Sequence, residues 1–161
     1  MADTEQDALD ALADASAGIA AGVRASLPGW AEERVGVIVA AWGRHDDDER
    51  ERILTDARRA GQAAAERVGA EMDRLFALDP DEQRVTPLQI VRTAYREVTP
   101  VLANAGIPPV ERDEFDERAF PDDAYGLVPA SLRDLGGDAL HDLQIRWGVA
   151  RTTLHHLRRR S

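Results

Sequence analysis

The chain has 161 residues, enough to bury one core, and a formal charge of −10, which argues against a general coat for nucleic acid. It contains no cysteine and no lysine; its 20 basic side chains are all arginine. That removes disulfides, thiolate nucleophiles, cysteine-held zinc or iron–sulfur sites, Schiff-base chemistry and the lysine of a phosphate-binding loop.

Residues 1–27 are predicted to form a first helix, with Leu9, Leu12, Ser16, Ile19, Val23 and Leu27 on one face. Leu27-Pro28-Gly29 then reads as a turn. A second helix is predicted over residues 30–44, burying Val35, Ile38, Val39 and Trp42. A short hinge from Gly43 to His45 would set it antiparallel to the third helix.

That third helix, over residues 46–78, is the expected organising element. Its apolar face is Ile53, Ala57, Ala60, Ala64, Val68, Met72 and Leu75, spaced by three or four. Four acids, Asp46 to Glu49, suit the positive end of the helix dipole, and Asp79-Pro80 closes it. Such a helix spans roughly 50 Å at 1.5 Å per residue, whereas a domain of this size is roughly 40 Å across. It should therefore bend near Gly61 or Gly69, or project and offer its small-residue stripe to a second chain.

A polar connector leads to Thr86-Pro87-Leu88-Gln89, a helix start with a threonine cap, a first-turn proline and a returning glutamine. The helix is predicted over 87–105, kinked near 99–100 where Thr-Pro repeats the cap signal. Residues 107–137 change character, with Pro108, Pro109, Pro121 and Pro129 among Gly126, Gly136 and Gly137. The reading is a connector with helical turns near 111–118 and 130–135, packed down over the bundle through Phe115, Phe120 and Tyr125. A last helix over 138–160 should bury Leu140, Leu143, Trp147, Ala150, Leu154 and Leu157. No segment shows the pattern of a strand. The expectation is one all-α domain: a four- or five-helix bundle with one long central helix and an irregular acidic connector before the last one.

The phrases T-P-L-Q-I-V-R-T-A-Y-R-E, G-I-P-P-V-E-R-D-E-F-D-E-R-A-F-P-D-D-A-Y-G-L and R-W-G lie between Thr86 and the C-terminus. In them the chain resembles a group of actinobacterial all-helical proteins with no assigned function. The resemblance covers under half the chain. It implies a bacterial, cytoplasmic setting and carries over no functional residue.

Three clusters could carry chemistry. Residues 111–123 hold seven acids, Glu111, Asp113, Glu114, Asp116, Glu117, Asp122 and Asp123, against Arg112 and Arg118. They form a candidate docking surface for a partner, or an oxygen-rich cation site that lacks the central glycine of a calcium-binding loop. Asp138, His141 and Asp142 share a helix face and are weak metal candidates. The carboxylate-bridged bundle pattern Glu-x-x-His is missing from the chain. Arg158, Arg159 and Arg160, extended back by Arg151 and Arg146, form a candidate basic patch for phosphate. It lacks the interleaved aromatics of a single-strand binder.

No Gly-x-Ser-x-Gly turn or glycine-rich phosphate cradle is present, and no catalytic residue or cofactor is assigned. The expected function is a non-enzymatic protein–protein interaction or assembly module, a candidate homo-oligomer, acting through the small-residue stripe and the acidic segment. The alternative is a nucleic-acid-associated regulator using the C-terminal arginines. A third reading is a metal-dependent enzyme using the clustered carboxylates. With no apolar run of membrane-spanning length and no signal segment, the expected location is the cytoplasm.

Overall fold

A computed structural model describes residues 4–161, and among them every regular element is helical. Helix α1 runs Glu5–Trp42 and α2 runs Asp47–Ala77. After a short 3₁₀ turn at Pro80–Glu82 come α3 (Pro87–Val91), α4 (Tyr95–Asn104) and α5 (Glu114–Ala119), and then α6 (Arg133–Arg160). The start expected for the first helix, at residue 1, lies outside the described residues.

The two helices predicted over 1–27 and 30–44 are one helix of 38 residues. At 1.5 Å per residue it is about 57 Å long and exceeds α2, which has 31 residues. Pro28 sits inside it. An interior proline removes one helical hydrogen bond and costs about 3 kcal/mol or more. Packing outweighs that local signal: Leu27, Trp30 and Ala31 on either side are all buried. At its start the Thr4 hydroxyl accepts from Asp7 N–H (3.1 Å), while Asp7 accepts from Thr4 N–H (3.2 Å). Gly43, at φ 67°, ends the helix in the left-handed region, donating to the Val39 carbonyl at 3.0 Å.

Helix α2 carries the same reciprocal cap: Asp46 accepts from Glu49 N–H (2.8 Å) and Glu49 from Asp46 N–H (3.1 Å). Its small-residue face is consumed inside the molecule. Ala57, Gly61, Ala64, Val68, Met72 and Leu75 are buried, and the helix packs against α1 and α4. The stripe expected to recruit a second chain therefore makes the core instead. The layers run α6, α1, α2, α4, so α1 is the helix shared by the two longest contacts.

The kink expected near 99–100 lies earlier. α3 stops at Val91 and α4 begins at Tyr95, with Pro100 inside α4 on its exposed side. Thr93 and Ala94 donate to carbonyls three residues back, Ile90 (3.1 Å) and Val91 (3.0 Å), and the Thr93 hydroxyl also donates to Ile90 (2.7 Å). The Thr93 carbonyl accepts Arg67 of α2 at 3.0 Å beside Arg96 N–H at 3.2 Å. Arg67 also holds both oxygens of Glu97, one of them at 2.9 Å, and Glu71 at 3.1 Å. One guanidinium from α2 thus pins the α3–α4 corner.

The connector expected to pack down over the bundle does so only at its ends, at Ile107 and over 123–132, while residues 113–119 are exposed. Tyr125 donates its hydroxyl to the Ile107 carbonyl at 2.7 Å, and Val110 N–H donates to Ala124 at 3.0 Å. Ile107, Tyr125, Leu127 and Leu132 are buried in the common core. Within α6, Gly136 (φ −121°, ψ 17°) and Gly137 (φ 66°, ψ −154°) leave helical space, so residues 138–160 form a separate helical run.

Candidate docking groove

The structure disperses the acidic and metal-candidate clusters read from the sequence and keeps part of the basic one together. Of the seven connector acids, Glu111, Asp113, Glu114, Asp116, Glu117 and Asp122 are at the surface. Asp113 caps α5 through Asp116 N–H (2.7 Å), and Glu114 pairs with Arg118 (2.6 Å). Asp123 is the correction. It is 3% exposed, and its carboxylate accepts Leu127 N–H (2.8 Å) and Val128 N–H (3.0 Å). It organises a turn and offers nothing to a docking partner. Phe115, expected to pack down over the bundle, is 74% exposed.

The basic patch is also divided. Arg158 bonds Glu5 (2.9 Å), Asp79 (2.9 Å) and Asp81 (2.8 Å), tying the last helix to the start of α1 and to the loop after α2. Asp79, then Glu5 and Asp81, raise its guanidinium well above the ordinary arginine range. Arg151 lies 5.2 Å from the Trp147 ring centre and donates to the Gln83 carbonyl at 2.7 Å. These two arginines brace the fold, and with Arg84, His155 and Arg159 they line one cavity of about 730 Å³; Arg146 and Arg160, exposed, lie outside it.

The weak metal candidates do not converge. Asp138 pairs with Arg133 at 3.2 Å across the glycine break, while Asp142 is exposed and His141 half-buried. Among the described residues no group of three His, Asp or Glu side chains is placed to hold a metal ion.

What the structure does assemble is a groove between α1 and α6, with a cavity volume of about 640 Å³. The two helices run antiparallel and touch closely at one end: a Cβ on Gly22 would meet Leu140 at 2.8 Å, and one on Gly18 would meet Leu143 at 3.0 Å. At the other end Arg158 holds Glu5. Along the α1 wall lie small side chains, Ala8, Ala11 and Ala15, with Asp7 and Asp14 on the rim. Along the α6 wall lie Ile145 and Val149, 52% and 61% exposed, with Arg146 between them. Arg146 and Asp14 make no ion pair with any described residue.

Sequence reasoning missed this groove because it sought one apolar stripe per helix. Ile145 and Val149 fall four apart, beside the Leu143–Trp147–Ala150 stripe and off it. A second, shorter apolar row on an otherwise amphipathic helix was the available signal.

No family model matches this chain, and neither does any curated protein or solved structure.

Proposed function

We propose that the chain is a non-enzymatic protein–protein interaction or assembly module, and that its docking face is the α1–α6 groove. The observation that carries this reading is the pair Ile145 and Val149, both more than half exposed over a wall of alanines. Two branched apolar side chains held side by side on a rigid helix lose little conformational freedom on being covered. Covering what they still expose is worth about 1 kcal/mol each. Exposed apolar groups rimmed by polar residues mark interaction surfaces. The exposed acids of the connector, with Phe115 among them, make a second contact region on this reading. The resemblance of the C-terminal half to actinobacterial helical proteins adds a bacterial, cytoplasmic setting.

The test is site-specific photo-crosslinking in cells, with the photoreactive side chain at Ala11 in the groove and, as a control, at Val37 on α1 outside it. A discrete protein adduct at Ala11 that disappears on Ile145→Asp supports the reading. Equal or absent crosslinking at the two positions would overturn it.

A further inference from the structure

The two walls of the groove differ in a way that fits them to each other. The α1 wall is small and acidic, through Ala11, Asp14 and their neighbours; the α6 wall is bulky and basic, through Ile145, Arg146 and Val149. We propose that the occupant of the groove is a second copy of this chain, related by a two-fold axis that lies along the groove, parallel to the two helices. This rests on the reading of the groove as a docking face and goes one step further, to the partner.

Register favours this occupant. A two-fold axis parallel to the helices exchanges left and right and leaves height along the axis unchanged. It therefore sets the α1 wall of one copy on the α6 wall of the other, twice, as an isologous interface requires. Height is fixed by contacts within one chain: Gly22 against Leu140, Gly18 against Leu143, and Glu5 against Arg158. In that register Asp14 falls about two residues, roughly 3 Å, from the level of Arg146, and Ala11 the same from Val149, within reach of the side chains. So the partner's α1 would bring a carboxylate to the Arg146 guanidinium. It would also bring a row of alanines over the two exposed branched side chains.

Because α1 and α6 are antiparallel, each would also meet its partner helix antiparallel. The four helices would then form an antiparallel four-helix arrangement about the axis, with large side chains of one pair seated over small ones of the other. Arg146 and Asp14, which lack a partner inside the chain, would each find one. A different protein would need to reproduce both the size pattern and the charge pattern in this register; a second copy supplies both by symmetry.

Analytical ultracentrifugation of the full chain tests the proposal. The wild-type protein should show a concentration-dependent monomer–dimer equilibrium. Ile145→Asp with Val149→Asp should weaken dimerisation by at least about a hundredfold, since two desolvated apolar contacts become charged on each side. Arg146→Asp and Asp14→Arg should each weaken it by about tenfold, and combining them should restore it, because the pair is re-formed with its signs exchanged. Circular dichroism melts confirm that each variant is folded. A wild-type chain that stays monomeric at roughly 1 mM, or a dimer indifferent to all of these changes, overturns the proposal. If the Ala11 crosslinker captures a different protein while the purified chain stays monomeric, the docking face stands and the second copy falls. If neither partner is found, both readings fall.

Discussion

Gly61 of α2 lies directly against Pro28 of α1: a Cβ added there would come within 2.7 Å of both the Pro28 Cα and the Leu27 carbonyl oxygen. The two longest neighbouring helices thus approach backbone to backbone at the point where α1 contains its proline. Ala31, whose Cβ would lie 2.8 Å from the added atom, closes the third side.

Gly61→Ala should therefore destabilise the protein by about 1–3 kcal/mol, even though alanine is the better helix former, because backbone cannot move aside as a side-chain tip can. Gly29→Ala is the matched control. Gly29 has nothing near its absent Cβ, so the substitution should stabilise by about 0.5–1 kcal/mol. Paired urea titrations measure both; a stabilised Gly61→Ala variant would contradict the close approach.

Arg67→Met should cost about 1–3 kcal/mol, since it leaves the largely covered Glu97 carboxylate without its donor and removes one of the two donors to the Thr93 carbonyl. Arg67→Lys should recover only part of that, because one ammonium cannot reproduce the forked contact with Glu97 together with the bond to Thr93. Hydrogen exchange at residues 90–97 should rise before the rest of the chain does.

The surface and buried acids of the connector should separate cleanly. Asp123→Ala strands two backbone N–H groups in a buried turn and should cost about 2–4 kcal/mol, while Asp123→Asn keeps one acceptor and should cost less. Glu111→Gln and Asp122→Asn, on the exposed rim, should stay within about 0.5 kcal/mol. Equal effects at all these positions would contradict the placement of Asp123.

Stability should fall in acid through Asp79. Its carboxyl is held below the ordinary range chiefly by the hydrogen bond from Arg158, and also by Asp81 N–H. A carboxyl depressed in the folded state stabilises fully above its unfolded value of about 4, and the contribution is lost as pH falls through the lower folded value. Arg158→Ala should remove that part of the acid limb, so the gap in unfolding free energy between wild type and variant narrows as pH falls below about 5. Asp73, held low by Arg24, leaves a residual acid dependence in the variant. A gap that widens toward low pH would contradict the clasp.

Much of this fold can be read from local chemistry. The acid-capped start of α2, the Thr86–Gln89 cap and the irregular proline-rich connector are signals that act within a few residues, and each appears where those residues place it. The site was less legible, because the acidic, basic and metal clusters were judged by sequence proximity. Asp123 and Asp122 are neighbours in the chain, yet one is buried against backbone N–H groups and the other is in water. Arg158 and Arg159 differ in the same way, because only one faces the carboxylates of Glu5, Asp79 and Asp81.

The sequence by itself determined that the chain is helical, where α2 and α3 begin, and that its chemistry excludes thiol and lysine nucleophiles; those are properties of residue type and of spacing by three or four. Only the tertiary structure decided that Pro28 is carried through a continuous helix, since the burial of Leu27, Trp30 and Ala31 against α2 outweighs a local turn preference. It also decided which stripe is spent on the core and which apolar row remains open. That choice depends on which helices meet across more than a hundred residues of chain, as Glu5 and Arg158 do, and no local pattern encodes it.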